Sequence, residues 1–364
     1  MICPKCGAEG AKRNGNGRGS CIANGKRHTF EWPTASLTQP DNLPEGIKLR
    51  GTSTLTDLRT GETVMQWVKT TADAEAQRLV FEAAVAAMSE KLPREKPRKA
   101  TANVHDELLN QYTITDYHLG MLAWGEETGA DWDIGIAERM LVDWFAAAIA
   151  QAPAAAIAVL AQLGDFLHWD GMDAVTPAHK HLLDADTRFQ KLVRVAIRVI
   201  RRVIGMLLEK HESVVVIIAE GNHDPASSIW LREWLAAIYE TEPRVTVDVS
   251  PDPYYCVEHG DTALFYHHGH KRKLGDIDTV FAAKFREVFG RTKHAYAHMG
   301  HLHHVDIKET NLMIVEQHRT LAAPDAYASR GGWMSGRDAQ VITYHKRHGE
   351  VGRVRVSPQM LAAA

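Results

Sequence analysis

The sequence predicts a layered α/β domain preceded by a small, separate N-terminal module. Three observations carry that expectation. From about Gln111 onward, apolar runs of strand character alternate with polar loops and helix-period segments. Several of these runs end in metal-binding or proton-transferring side chains, and open α/β folds build their sites at the carboxyl ends of strands. Three of the four cysteines fall within the first 21 residues, apart from those clusters.

The 364 residues leave room for one large domain with small additions. A hydrophobic share of 45% and a charged share of 24% are those of a soluble globular chain. A net charge of −3 gives no global attraction to nucleic acid or membrane, so any basic surface is local. The 20 histidines are the informative excess, because imidazole is the commonest metal ligand near neutral pH. Met1-Ile2-Cys3-Pro4-Lys5 leads into glycine-rich polar sequence instead of an apolar leader, so a cytoplasmic location is expected. Residues 144–163 are mostly alanine, interrupted by Gln151 and Pro153, and read as a helix, a turn and a buried strand, not a membrane span. No membrane partner is expected.

Residues 1–32 read as a zinc-ribbon-like knuckle. Cys3 and Cys6 have the spacing of two thiolates that reach one ion across a glycine turn. Cys21 offers a third thiolate, Asn24 stands where a ribbon would carry its fourth cysteine, and His28 offers a substitute. Lys12, Arg13, Arg18, Lys26 and Arg27 would form a basic fringe suited to phosphates. The competing reading is a ribbon that binds no metal. This start resembles the zinc ribbons of transposase-like and other DNA-associated proteins.

Residues 33–100 read as a hairpin at 46–70 turning at 59–62, a helix at 71–91 and a basic, proline-punctuated linker at 93–99. Residues 101–364 read as the catalytic domain, with helices at 134–151, 186–210, 227–239 and 279–289. Hairpins are expected at 254–266 and 339–356, the second after a loop at 318–337 long enough to be functional. His179, His181, His294, His298 and His304 read as structural, and Cys256 as a small core residue.

The chemistry lies in five clusters: Asp116-Tyr117-His118, Gly164-Asp165, Gly221-Asn222-His223-Asp224, His267-His268-Gly269-His270 and Gly300-His301-Leu302-His303. Carboxylates mixed with imidazoles and an amide oxygen suit divalent manganese, iron or zinc. Two cations roughly 3.5–4 Å apart need about seven ligands with a bridging carboxylate, which the clusters supply. His223 is positioned in sequence to protonate a leaving oxygen, with Asp224 expected to orient and charge its imidazole.

In order, these clusters resemble the motifs of calcineurin-like metallophosphoesterases, over about residues 111–304, and imply that family's layered α/β sandwich and two-metal hydrolysis. The segments on either side resemble those of phage- and prophage-encoded members. The resemblance implies Asp116, His118, Asp165 and His303 on one metal and Asp165, Asn222, His268 and His301 on the other. His267 competes with His268 by one residue, and the family's habit of placing its ligand just before the glycine favours His268. Gly164-Asp165 is followed by Phe166-Leu167-His168-Trp169, unlike the Asp-Arg-Gly element of calcineurin-like protein phosphatases. That departure, with Asp224 where those enzymes usually carry glutamate, leaves the nuclease and phosphodiesterase branches. His168 is expected at a substrate phosphate or a metal-bound water, and Arg330 at the substrate groove. The expected activity is a DNA nuclease using manganese. Hydrolysis of a small phosphoester is the alternative, and a nucleic-acid-binding protein with a structural metal a third. The analogy with repair nucleases admits a homo-oligomer, for which no residue argues.

Overall fold

The computed structural model describes residues 9–10, 12–13, 18–23, 26–31, 47–57, 63–72 and 104–361. The chain divides into two units, Met1–Asp73 and Ala74–Ala364. In the first, β1 (Lys12–Arg13), β2 (Arg18–Ala23) and β3 (Lys26–Glu31) form a three-stranded antiparallel sheet. Its register sets Cys21 opposite His28, and directly opposed residues share a face. A second hairpin, β4 (Ile47–Thr56) with β5 (Thr63–Ala72), stands where the alternating pattern predicts it. Thr71 and Ala72, expected to open a helix, instead close β5, because they pair with Lys48 and Ile47. Cys3, Cys6, the turn at 59–62, the remainder of the predicted helix and the basic linker lie outside the described residues.

The second unit is built on two sheets. The first has the order β16-β15-β6-β7-β8-β9 and uses β6 (His105–Ile114), β7 (Ala155–Gln162), β8 (Ser213–Ile218), β9 (Val245–Val247), β15 (Ala339–His345) and β16 (Gly349–Val356). Strands β6 to β9 run parallel, and β15 returns antiparallel beside β6. The second has the order β10-β11-β12-β14-β13 and uses β10 (Tyr255–His259), β11 (Thr262–Tyr266), β12 (His294–Met299), β13 (Asp306–Glu309) and β14 (Ile314–Gln317).

Strand alternation sorts the core into layers. On β7, Val159 and Ala161 face Leu264, Tyr266 and Tyr344 between the sheets. Ala158 and Leu160 face the opposite way, into helices α2 (Ile134–Gln151) and α3 (Phe189–Lys210), the α1 turn (Gly125–Thr128) lying upstream. The outer face of the second sheet, with Phe265, Ala297 and Val315, is covered by Ile277 and Phe281 of α5 (Ile277–Lys284). The result is helix, sheet, sheet, helix. No helix among the described residues is long and apolar enough to cross a membrane.

Helix starts differ from the sequence expectation where side chains have other partners. Asp186 does not open α3; its carboxylate accepts the Ile134 N–H at 2.9 Å, and so caps α2 beside Asp133. Helix α4 (Pro225–Ile238) begins two residues earlier than expected, with Pro225 at its first position and Asp170 accepting the N–H groups of Ala226 and Ser227. The segment expected as one helix at 279–289 is broken at Phe285 into α5 and α6 (Arg286–Arg291). The loop at 318–337 contains a short helix, α7 (Ala326–Gly331), and α8 (Pro358–Leu361) follows β16.

Candidate metal centre

All five clusters leave strand ends or the loops that follow them, and the backbone there is unusual. Asp116, His118, Asp165, His301 and His303 have φ between 48° and 78°, the left-handed region that few non-glycine residues adopt. Each such residue costs about 1–3 kcal/mol, which the surrounding hydrogen bonds must offset. The bonds are present: Asp116 N–H donates to Gly164 O, His118 N–H to Asp165 O and Gly300 N–H to His268 O, at 2.8–3.0 Å. The two carboxylate-bearing loops thus brace each other.

Asp116 has one oriented oxygen and one presented oxygen. Its Oδ2 accepts from Thr115 Oγ1 (2.5 Å) and His301 N (2.8 Å), while Oδ1 lies 3.1 Å from His303 Nε2. Asp165 Oδ1 accepts the His223 N–H at 2.8 Å, and Oδ2 lies 3.1 Å from His268 Nε2. His268 Nδ1 donates to Leu163 O at 2.8 Å, which turns Nε2 toward Asp165 and toward Asn222 Oδ1 at 3.1 Å. His118 Nε2 faces His303 Nε2 at 3.4 Å. Two groups of three, Asp116 with His118 and His303, and Asp165 with His268 and His301, hold their ligand atoms within 4.8 Å of one another.

The donor set fits a pair of cations. Bonds of roughly 2.0–2.2 Å to nitrogen and oxygen set neighbouring ligand atoms roughly 3–3.5 Å apart, the range of the contacts above. Asp116 and Asp165 are buried, each facing an imidazole at 3.1 Å, His303 and His268 respectively. Burial alone would raise the Asp116 carboxyl, yet the His303 and His268 rings beside it bring it below the usual range. Conversely burial opposes the charge on His268, but Asp165 and Asp116 raise it to about 10. Protons and cations compete for such a site.

His268, not His267, faces the centre. The His267 ring stacks on Tyr254 with centroids 4.6 Å apart, and its Nδ1 accepts the Gly269 N–H. The His223 ring stands edge-on to His118 at 4.7 Å, and Nδ1 donates to His168 O at 2.8 Å, which makes Nε2 the acceptor nitrogen of the neutral tautomer. Three expectations need correction. Asp224 does not orient His223: its carboxylate accepts the N–H groups of Asp165 (3.2 Å) and Leu167 (2.9 Å), fixing the loop that carries Asp165. Burial, and then the Asp165 charge, push the Asp224 carboxyl well above its ordinary range. His168 is 1% exposed and cannot meet substrate; its Nδ1 lies 3.3 Å from His118 Nδ1 and steadies that ring. Arg330 is outside the cavity at the centre, paired with Glu127 at 2.7 Å.

Sequence reasoning passed over Thr115, whose hydroxyl holds Asp116, and Thr320, whose hydroxyl donates to Asp116 O at 2.7 Å. It also passed over Tyr327, Trp333 and Met334 in the cavity wall, whereas Arg337 and Gly332 of the same loop, legible as groove candidates, do line the cavity. A further cluster, His298, Glu316 and His318, is fully buried. The two rings bond each other at 2.9 Å, their outer nitrogens meet Tyr344 Oη and Gln340 Nε2, and Arg353 holds Glu316, so the group is a closed packing network.

The fold and side chains together define a layered α/β protein with a buried carboxylate–imidazole centre between two sheets. No protein-family model matches the chain, and no curated protein matches its sequence. Among solved structures it is similar to a conserved uncharacterized protein from Streptococcus pneumoniae TIGR4 described as a predicted phosphoesterase, at 11% identity and TM-score 0.29, covering 70% of this chain and 99% of that one. A novel archaeal phosphodiesterase gives 12% identity and TM-score 0.33, covering 68% and 98%. Wild-type Vps29 complexed with zinc from Entamoeba histolytica gives 11% and 0.26, covering 68% and 98%. Similarity at that level carries neither substrate nor mechanism to this chain.

Proposed function

We propose that the chain is a calcineurin-like metallophosphoesterase that hydrolyses phosphodiesters at a two-cation centre, with DNA as its substrate and manganese as its metal. The observation that carries this reading is the convergence of Asp116, His118 and His303, and of Asp165, His268 and His301, from loops of both sheets. Asp116, His118, Asp165 and His303 would hold one cation, and Asp165, Asn222, His268 and His301 the other. When bound, such a pair supplies Lewis acidity toward the phosphoryl oxygens and a water acidified to near neutral pKa.

The chain's own residues supply the rest. Asp165 directs its two oxygens to different partners, as a bridging carboxylate must. His223 lines the cavity with Nε2 unspent, so a proton received there can pass to the leaving oxygen. Its tautomer is held by a backbone carbonyl instead of a carboxylate. DNA is favoured by one face of α3, where Lys191, Arg194 and Arg202 are exposed on either side of Arg198, itself paired with Glu138 at 2.6 Å, cations suited to phosphates. For the N-terminal sheet, the cross-strand placement of Cys21 and His28 supports the zinc-ribbon reading.

A small phosphodiester is the second reading. It is favoured by the cavity wall, whose arginine, Arg337, donates both Nε and Nη2 to Leu321 O and has little left for a phosphate.

The test is cleavage of end-labelled single- and double-stranded DNA with manganese, beside bis(p-nitrophenyl) phosphate. Wild type should cut DNA and Asp165→Asn should not. His223→Ala should keep both metals, by elemental analysis, and lose about 10²–10⁴ in rate. Turnover of the small diester with DNA left intact would move the function to the second reading, and no turnover of either would end both.

A further inference from the structure

The centre opens into a cavity of about 700 Å³, far more than one phosphate group fills, and its lining includes two aromatic rings. Trp333 and Tyr327 stand there with ring centroids 4.9 Å apart and planes tilted by 59°. Both are unusually open for aromatic residues, at 57% and 73% exposed, and Met334 beside them is 96% exposed. Exposed apolar surface grouped in this way marks a binding site more often than a solvated face.

The wall is held in place. Asp325 caps α7 by accepting the Ala328 N–H at 2.7 Å. Gly332, at φ 72°, ends the helix in the left-handed conformation, and Trp333 N–H donates back to Ala328 O at 3.1 Å. The Trp333 ring folds over Gly331 so closely that a Cβ there would lie 3.0 Å from Cε3. An indole seated against backbone offers its other surface at little entropic cost.

Charge narrows the occupant. Of the charged groups on this wall, Asp325 is used as the helix cap and Arg337 is turned to Leu321 O, with its guanidinium 5.4 Å from the Trp132 ring. A phosphate would find only Arg337 there, with its Nε and Nη2 already donated to Leu321 O. A neutral, planar group joined to a phosphate at the metal centre would find a stacking face.

Resting on the phosphodiesterase reading, we propose that Trp333 and Tyr327 form a subsite for the unpaired nucleobase of the nucleotide next to the scissile phosphate. A base inside a duplex cannot present its face to this wall, so the subsite selects single-stranded or frayed ends over intact duplex.

The test is calorimetric titration of the manganese-loaded full chain with two non-hydrolysable ligands, the 5′-methylenephosphonate analogue of thymidine monophosphate and the same sugar phosphonate lacking the base. Wild type should bind the first at least about tenfold more tightly, in line with stacking of one base on an aromatic ring. Trp333→Ala should bring the two ligands to within about twofold, while Trp333→Phe keeps most of the preference. Equal binding by wild type, which would give the wall to the sugar or to nothing, overturns the proposal. So does a preference that survives in Trp333→Ala. Turnover of bis(p-nitrophenyl) phosphate is read separately. Turnover without a base preference removes the subsite alone, and a base preference without turnover removes the hydrolase reading alone.

Discussion

A Cβ on Gly221 would stand 2.1 Å from Asp165 Oδ1, 2.3 Å from Asp165 N and 2.6 Å from Asp224 Oδ1. Real Cβ atoms do not approach so closely, so this glycine is needed for contact, not for φ. It lets the loop after β8 close on the Asp165 carboxylate. Gly221→Ala should therefore displace Asp165 without removing any ligand, lowering metal affinity by roughly the 10–100-fold that loss of a ligand's support costs. Metal titration followed by calorimetry checks this; unchanged affinity would mean that the loop yields and the packing is not needed. Gly300 is in the same position, with a Cβ 1.8 Å from Thr115 Oγ1. Residue identities at the centre were legible because carboxylates, imidazoles and glycines cluster in the chain. The jobs of Asp224 and His168 were not legible. Which neighbour a buried side chain reaches depends on how two loops cross, and adjacency to His223 suggested a contact that the chain does not make.

Among the elements, long ones were easy to read and short ones were not. The 22-residue α3 has its apolar positions on one face and its cations on the other, a pattern that propensity and packing both favour. Strands β13 and β14, at four residues each, carry too little alternation to announce themselves, and form because β14 pairs parallel with β12 and β13 then pairs antiparallel with β14 at the sheet edge. The end of α3 also carries a titratable joint. His211, its C-terminal cap, donates from Nδ1 to Ala155 O at 2.7 Å, so Nε2 accepts from Tyr112 Oη at 2.9 Å, tying helix to sheet as a neutral ring. Burial lowers its pKa from 6.5 to about 4. The unfolded chain therefore takes up this proton first, and stability falls as pH drops below about 6.5, levelling near pH 4. The loss attributable to His211 is about 3 kcal/mol across that window, at about 1.4 kcal/mol per pH unit. Denaturant melts of wild type and His211→Gln should diverge in pH dependence over that window and run parallel above pH 7. Parallel curves throughout would show that the ring protonates in the folded state at no cost.

At the scale of the whole molecule, the centre is also a joint between sheets. Asp116, His118, Asp165 and Asn222 follow strands of the six-stranded sheet, whereas His268, His301 and His303 follow strands of the five-stranded one. The sheets already share an apolar layer that includes Val159, Leu264, Tyr266 and Tyr344. At the edge nearest the loops that layer gives way to two buried carboxylates and the imidazoles that face them. Cations held there would join the sheets where hydrophobic packing cannot. Because the unfolded chain does not assemble the ligands, binding stabilises the folded state, by about 2.7 kcal/mol per site at a hundred times the dissociation constant. Manganese should raise the thermal midpoint of wild type by several degrees, and a chelator should return it. Asp165→Asn, which removes the carboxylate proposed to serve both cations, should lose most of that response, although its own midpoint without metal stays measurable. Hydrogen exchange would then locate the gain. Protection should rise at the ends of β7, β8, β11 and β12 and leave the distant end of α3 unchanged. A midpoint indifferent to manganese and chelator alike would mean that the paired carboxylates and imidazoles satisfy one another, and that the joint closes without metal.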